Sequence, residues 1–523
     1  MGMTPPPTAP FDAIPMLFMA VVDSDLLLFL REAHGLLAGC PALIVRAEAD
    51  LDAHGCAKKA LRVADAAWRA DRTAPLTGYT SEPSVIDPTR LTLTQGRPRT
   101  PAYVVLIAVL LRGYFGAGFK SWDAATMMQE SITLSVFFAN LGVRMPGRST
   151  LTELVNAISN ETRLCILDAQ VALVLALGWD DFSAILQDST HVEGNTTFPT
   201  DSRLLVALVS RVLRVGAVLG RVHLPAFTSL TVRRHLDAMI TLDRQIDMSR
   251  GTREGTRTRR QRYKSLLWRA RRAYRLLNDA VTQVEAALTA LDVLPSRRAM
   301  AERATQRLRA DVDALVPVIA NCEARVIHEQ KVPMAEKILS LSDPDVGFIS
   351  KGQRVPVIGY KPQVARSGAG FVTGVLLPKG NAADSEQLVP MVDEVVRRTS
   401  VVPRVLSVDD GYASAVNMAA MKARGIEVIS INGSKGRALT ARADWKSVEY
   451  VLARDQRSAI ESLMFTLKQG FDFGEVARRG LAAAHGELLE KGLAYNLCHL
   501  ARMRRAKAAA AKCDDEGPLA EAA

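Results

Sequence analysis

Three acidic residues, far apart in this chain, stand where they could bind metal ions. Asp188 and Asp409 each end a short apolar segment that is typical of a buried strand. Glu461 lies in a predicted helix, four residues after Arg457 and seven before Lys468, which puts these three side chains on one helix face. Carboxylates suit Mg²⁺, and neighbouring cations suit phosphate groups. By itself, the Arg–Glu spacing is also common on solvated helix surfaces.

Taken in order, the motifs around these residues resemble those of bacterial insertion-sequence transposases of the DDE class, most closely the ISNCY group. The resemblance covers roughly residues 100–505 and rests on Gln187–His191, Pro199–Ser202, Asp343–Asp345, Gly359–Gln363, Asp409–Tyr412 and Arg457–Lys468. It implies an RNase H-like catalytic domain in which Asp188, Asp409 and Glu461 are catalytic and hold two Mg²⁺ ions, for which Mn²⁺ can substitute. Arg457 and Lys468 would then bind phosphates beside the scissile bond.

Several positions near the motifs need a choice of role. The spacing of the family's turn favours Asp409 over Asp410 as the ligand, and Asp410 is then a turn residue. His191 is more often structural at such a place than functional. Asp201 either caps the helix that follows or holds the loop of the first motif. Related transposases often carry a tyrosine where this chain has Arg454, so no tyrosine role is expected there.

The resemblance implies a transposase that cuts and joins DNA at the terminal inverted repeats of its own element. Water would attack first to release a 3′-hydroxyl, and that hydroxyl would then attack target DNA without a covalent protein nucleophile. The expected partner is double-stranded DNA, held by a homodimer in the synaptic complex. Two alternatives stay open. One is a catalytically idle DNA-binding descendant, against which the retained carboxylates and cations argue, and the other is a metal-dependent nuclease that hydrolyses DNA without joining it.

The composition indicates a globular protein with a polyanionic partner. The 523 residues are 48% hydrophobic and 23% charged, which suits about two to four domains. The net charge of +11 favours nucleic acid, although charge alone predicts only nonspecific attraction. Six cysteines without CxxC spacing indicate neither a zinc ribbon nor a disulfide framework. Since no signal peptide or membrane span is evident, we expect a cytoplasmic protein that joins the nucleoid when it binds DNA.

Changes of pattern along the chain predict an α/β RNase H-like catalytic domain, a mixed sheet flanked by helices, with a large helical insertion. Within it, Val357–Val364 and Gly370–Pro378 are predicted to form a hairpin, and Lys361 there either reaches DNA or protects a strand edge. The expected domains are a helical N-terminal region of unknown role (1–95), a helical DNA-binding domain (96–180), the catalytic domain (181–204 and 336–470), the insertion (205–335), and a helical segment with a disordered tail (471–523).

The insertion is predicted to be an antiparallel coiled-coil hairpin, because apolar heptads run through 267–291 and 308–326 on either side of a proline turn. Residues 250–275 hold ten arginines and one lysine against a single glutamate. A solvated basic face is the ordinary explanation, but interleaved aromatic residues favour a clamp on the DNA backbone. The candidate phosphate-binding residues are Arg259, Arg260 and Arg262, and the aromatic residues are Tyr263, Trp268 and Tyr274.

A second candidate DNA contact lies in the N-terminal half. Gly147 belongs to a turn between two helical stretches, and Thr150 with Glu153 matches a capping box that would start the second helix. This pattern is typical of a helix-turn-helix and equally of an ordinary corner in a helical bundle. The resemblance favours the DNA-binding alternative.

Overall fold

The chain divides into two structural units. This computed structural model describes residues 24–77, 100–116, 126, 130–143, 146–196, 200–220, 230–249, 253–333, 336–350 and 356–515. The first unit comprises Met1–Ala53, Arg97–Thr196 and Asp345–Ala523, and the second comprises His54–Gly96 and Thr197–Pro344. Residues 181–196 and 345–470 of the predicted catalytic domain therefore belong to one unit, whereas residues 197–204 and 336–344 belong to the second unit with the predicted insertion.

A five-stranded mixed sheet lies at the centre of the first unit. The described strands are β1 (Ala184–Ser189), β2 (Val192–Glu193), β3 (Gly347–Ile349), β4 (Val357–Tyr360), β5 (Gln363–Ser367), β6 (Val372–Leu376), β7 (Val405–Asp409) and β8 (Val428–Asn432). In the order β6-β5-β1-β7-β8, β5 is antiparallel to both neighbours, while β1, β7 and β8 are parallel. The short strands form a second sheet in the order β2-β4-β3. The predicted mixed sheet is thus confirmed.

The predicted hairpin is present, but its first strand is divided between the two sheets. β4 pairs with β2 and β3, whereas β5 pairs with β1 and β6. Pro362, which lies between β4 and β5, has no N–H for a ladder hydrogen bond, so the chain changes sheets there. The hairpin proper consists of β5 and β6.

Helices account for most of the described residues. They are α1 (Ser24–Gly39), α2 (Pro41–Thr77), α3 (Ala102–Phe115), α4 (Ile132–Asn140), α5 (Arg148–Ala157), α6 (Asn160–Ala176), α7 (Asp201–Leu219), α8 (Leu230–Asp247), α9 (Arg253–Thr289), α10 (Pro295–Val326), α11 (Asp384–Thr399), α12 (Ala415–Ala423), α13 (Ser434–Leu439), α14 (Arg442–Trp445), α15 (Val448–Asp455), α16 (Ser458–Gly470) and α17 (Leu481–Asp515). The apolar side of α11 packs on the main sheet, where Leu388 and Met391 share a core with Ile185 and Leu406.

Two local predictions were wrong. The helix after the turn at Gly147 begins at Arg148 with Gly147 as its N-cap, so Thr150 lies inside the first turn and cannot cap it. The tail beyond Arg505 was expected to be frayed or disordered, but α17 continues to Asp515 through a sequence rich in alanine, which has a high helix propensity, and residues 516–523 lie outside the described residues.

Among the described residues, no single helix is long and apolar enough to cross a membrane. By length and composition alone, α1 and residues 41–72 together could cross a membrane, although the two helices are bent by 88° relative to each other.

The second unit contains a bundle of α7, α8, α9 and α10 around one apolar core. α9 and α10 form the antiparallel pair that the heptads predict. They do not stand alone as a two-helix coiled coil, because Leu208 and Val212 of α7 and Met239 of α8 lie in the same core. The heptad pattern contains no sign of these extra neighbours.

Asp201 has neither of its two predicted roles. The N-cap of α7 is Thr200, whose hydroxyl accepts the Arg203 N–H at 3.3 Å. The Asp201 carboxylate instead pairs with Arg325 of α10 at 2.8 Å. It therefore ties two helices of the bundle together.

A buried acidic residue joins the helices of the first unit. Glu490 of α17, which is 1% exposed, accepts hydrogen bonds from Arg112 at 2.7 Å, Arg163 at 2.7 Å and Arg478 at 2.8 Å. Burial alone raises the pKa of Glu490, but the three guanidinium groups outweigh it and hold the pKa below its usual value. One carboxylate thus fixes α3, α6 and α17 around a shared charge cluster.

We expect Glu490→Gln to lower the free energy of unfolding by about 3–5 kcal/mol, because it leaves three buried guanidinium groups without their carboxylate. The wild-type contribution is present above the usual pKa of glutamate and is lost as the pH falls towards the lowered folded-state pKa. Urea unfolding at several pH values measures both effects. The exposed Glu161 on α6 is the control, and Glu161→Gln should change stability by no more than about 0.5 kcal/mol. Equal losses in the two variants would contradict this account.

Candidate active site

Strands β1 and β7 bring two of the predicted aspartates to the same edge of the main sheet. The strands pair in parallel, with Leu186 beside Ser407. Continued for two residues, this register sets Asp188 beside Asp409, the last residue of β7. Ligand sites in parallel sheets lie at the carboxyl ends of the strands, which is where both carboxylates are found.

The turn after β7 holds the Asp409 carboxylate in place. Its Oδ1 accepts the Gly411 N–H at 2.9 Å. A Cβ atom at position 411 would lie 3.0 Å from this oxygen and 3.1 Å from Asp384 Oδ2. A larger residue than glycine would therefore press on both carboxylates.

Asp410, the other half of the acidic doublet, has a structural contact instead. Its carboxylate accepts the N–H groups of Gly436 at 2.8 Å and Lys435 at 3.2 Å, at the beginning of α13. Burial by itself raises the pKa of Asp410, but the N–H donors outweigh it and leave the pKa below its usual value. Asp410 thus caps a helix, which leaves Asp409 as the ligand candidate of the doublet.

Arg457 links the third acidic residue, Glu461, to Asp188. Its Nη1 donates to Glu461 Oε1 at 2.9 Å, and its Nη2 lies 4.0 Å from Asp188 Oδ2. The Arg457 side chain is 21% exposed and that of Asp188 is 13% exposed, whereas Glu461, on the open side of α16, is 57% exposed. The guanidinium group therefore lies between the sheet edge and the helix and offsets the repulsion of two carboxylates.

A buried polar network lies behind the aspartates, and sequence reasoning missed it. The Tyr412 hydroxyl donates to Gln363 Oε1, and Gln363 Nε2 donates to Asp384 Oδ1 at 2.9 Å. Asp384 Oδ2 in turn pairs with Lys361 Nζ at 2.9 Å. Burial, and then the charges of the nearby aspartates, raise the pKa of Tyr412 well above its usual value, so its hydroxyl remains a donor.

Lys361 was predicted either to reach DNA or to protect a strand edge, and its surroundings do not support the DNA-binding role. The residue is 8% exposed, and its ammonium group pairs with Asp384 and donates to the Ala382 carbonyl at 3.2 Å. No motif marks Asp384 in the sequence. The sequence contained one indirect sign of the network. Lys361 and Gln363 lie in one family motif and Tyr412 lies in another, and all three side chains belong to the network.

Two further residues singled out in the sequence, Lys468 and His191, lie in the first unit. Lys468 lies half-buried on α16, two turns after Glu461. His191 lies half-buried in the short link between β1 and β2. The phosphate-binding role of Lys468 and the structural role favoured for His191 stay predictions.

The three insertion arginines predicted to bind phosphate lie on α9, in the second unit. Arg260 pairs with Glu329 at 3.3 Å, and Arg262 donates to the Gln245 carbonyl at 2.6 Å. Both guanidinium groups are therefore engaged within the bundle. Arg259 is exposed and remains available to a partner.

The donors at the sheet edge fit a divalent metal ion in part. Asp188 and Asp409 offer carboxylate oxygens at adjacent strand ends, and Mg²⁺ prefers such ligands. Within the described ranges, no three His, Cys, Asp or Glu side chains form a group that could hold a metal ion. Glu461 is paired with Arg457 instead. Two of the three predicted ligands are thus assembled, and the third lies across a salt bridge.

Residues 348–497 match the family model described as Transposase DDE domain. The matched segment contains Asp409, Arg457, Glu461 and Lys468, whereas Asp188 precedes it. No curated protein and no solved structure matches the chain. The match confirms the resemblance to an insertion-sequence DDE transposase, and it supports a transposase function.

We expect Asp384→Asn to destabilise the first unit by about 3 kcal/mol or more, because it leaves the buried Lys361 ammonium without its carboxylate. Asp393→Asn is a matched control on the same helix, since Asp393 pairs with Arg424 at 2.6 Å but is 54% exposed. The control should lose less than about 1 kcal/mol. Urea unfolding of both variants makes the comparison, and a control loss as large as that of Asp384→Asn would refute the buried-pair explanation.

Proposed function

We propose that this protein is a transposase that cuts and joins DNA at the terminal inverted repeats of its element. The observation that carries the proposal is the meeting of Asp188 and Asp409 at one sheet edge, with Arg457 linking Asp188 to Glu461. Support comes from the match of residues 348–497 to a transposase DDE domain. The strand order, with β1 between β5 and β7, suits the RNase H-like domain that we infer here.

Asp188, Asp409 and Glu461 would hold the divalent metal ions, with Mg²⁺ as the expected species. When bound, such ions stabilise the attacking and leaving oxygens of an in-line phosphoryl transfer. For Glu461 to become a ligand, its side chain has to leave Arg457. The released guanidinium group would then bind a phosphate as a two-pronged donor. Arg457 Nε is buried and without a hydrogen-bond partner among the described residues, so the group has a donor to spare.

The remaining chain supplies DNA contacts in this proposal. Lys468, two turns along α16 from Glu461, would neutralise a second phosphate. α4 and α5 would form the helix-turn-helix that reads the repeats. A homodimer would hold two element ends together, and the protein would act on DNA in the cytoplasm.

We expect Asp409→Asn to lower cleavage of a plasmid that carries the native repeats by about 100-fold or more, the scale of losing one preorganised electrostatic group. Asp410→Asn is the control, because Asp410 is the neighbouring aspartate and caps α13. It should retain cleavage within a few-fold while lowering thermal stability. If Asp410→Asn abolished cleavage and Asp409→Asn did not, the assignment within the doublet would be wrong.

The same assay separates the alternatives when its products are sequenced. New junctions between element ends and target DNA support the transposase. Nicked or cut ends without junctions would identify a nuclease that only hydrolyses DNA. Repeat binding in a gel shift without either product would identify the catalytically idle descendant.

A further inference from the structure

The outward face of α9 carries cations that the protein itself does not neutralise. Arg257, Lys264, Arg272 and Arg275 are exposed, and within the described ranges none of them forms an ion pair. Elsewhere on the same helix, Arg271 pairs with Glu323 of α10. The helix thus separates its basic residues into an inner set that stabilises the bundle and an outer set without acidic partners.

Helical periodicity places the outer cations in one line. Residues 257, 264, 268, 272 and 275 fall within a narrow sector of the helix, while Leu266, Ala270 and Leu277 point into the apolar core. The line is about 27 Å long at 1.5 Å per residue. Arg272 and Arg275 are three residues apart, a spacing at which like charges destabilise a helix, and a polyanion lying along this face would offset that repulsion.

Trp268 lies in the middle of this line with its indole exposed. It is 53% exposed, whereas Tyr263 on the same helix is 8% exposed and belongs to the core. The guanidinium carbons of Arg269 and Arg272 lie 5.8 Å and 5.6 Å from the centroid of the indole ring. The edge of the His235 ring, on α8, flanks the indole as well. A flat apolar ring among cations is the surface on which an unpaired DNA base can stack.

We propose that this face of α9 binds DNA, with its cations on the phosphates and Trp268 stacked on an unpaired base. The inference takes from the proposed function only that the partner is DNA. It adds a second DNA site, separate from the carboxylates of the first unit. It also replaces Arg260 and Arg262 as phosphate-binding residues with Arg257, Lys264, Arg272 and Arg275.

The phosphate part is tested by measuring the affinity of the full chain for a random-sequence duplex over a range of salt concentrations. Arg272→Gln/Arg275→Gln should reduce the slope of log affinity against log salt by about 1.8, at about 0.9 for each lost phosphate contact. Arg303→Gln/Arg307→Gln removes the same charge from exposed positions on α10 and should leave the slope unchanged. Equal reductions in both variants, or none in the first, would overturn the assignment of this face.

The stacking part is tested with the same duplex containing a short unpaired stretch. Trp268→Ala should weaken binding to this probe by about 5- to 150-fold, the range for one base–aromatic stack, while affecting the fully paired duplex less. Trp268→Phe should retain most of the affinity, which excludes misfolding as the cause. Equal affinity of wild type and Trp268→Ala for both probes would overturn the stacking role. These binding measurements do not depend on strand cleavage or joining. If the protein bound both probes as expected but formed no cleaved or joined DNA, only the proposed function would be contradicted.

Discussion

The pairing of β1 with β5 and β7 is the constraint on which the candidate site depends. β1 is the central strand of the sheet, and residues 197–344 of the second unit separate it in sequence from its partners β5 and β7. β1 is buried along most of its length. A shift of its pairing register by one residue would turn the Asp188 side chain away from Asp409. Ordinary strand packing in the preceding residues thereby sets the position of the candidate ligand Asp188.

Around that edge, two cations lie beside the carboxylates. Arg457 lies between Asp188 and Glu461, while Lys361 pairs with Asp384. Without such cations, the acidic side chains near this edge would repel one another. Glu490 shows the reverse arrangement, in which three guanidinium groups share one acid. Removing one member of a buried pair, Lys361 with Asp384 or Glu490 with its guanidinium groups, leaves an uncompensated buried charge and destabilises the fold.

Much of this could be predicted from local patterns, and the failures have a common physical cause. Short apolar runs ending in Asp188 and Asp409 gave the strand ends, and helical spacing gave the pairing of Arg457 with Glu461. The burial of Lys361 could not be foreseen, because it depends on a helix start more than twenty residues away. Likewise the heptads of α9 showed which face is apolar, but not that α7 and α8 cover it and leave Trp268 outside. Local periodicity predicts which face of a helix is buried, but only the tertiary structure shows which elements cover that face.

The separation of β1 from its partners also affects how the protein is made. After Ser189 leaves the peptidyl transferase centre, more than 170 residues are added before Gln363 begins β5. At about 5–20 residues per second this takes roughly 9–35 s. The helical bundle of the second unit, rich in local contacts, is completed within that interval and can fold quickly. Meanwhile the apolar residues of β1 stay unpaired, so slow elongation favours aggregation, and the yield of folded protein depends on how well β1 is shielded until the C-terminal half emerges.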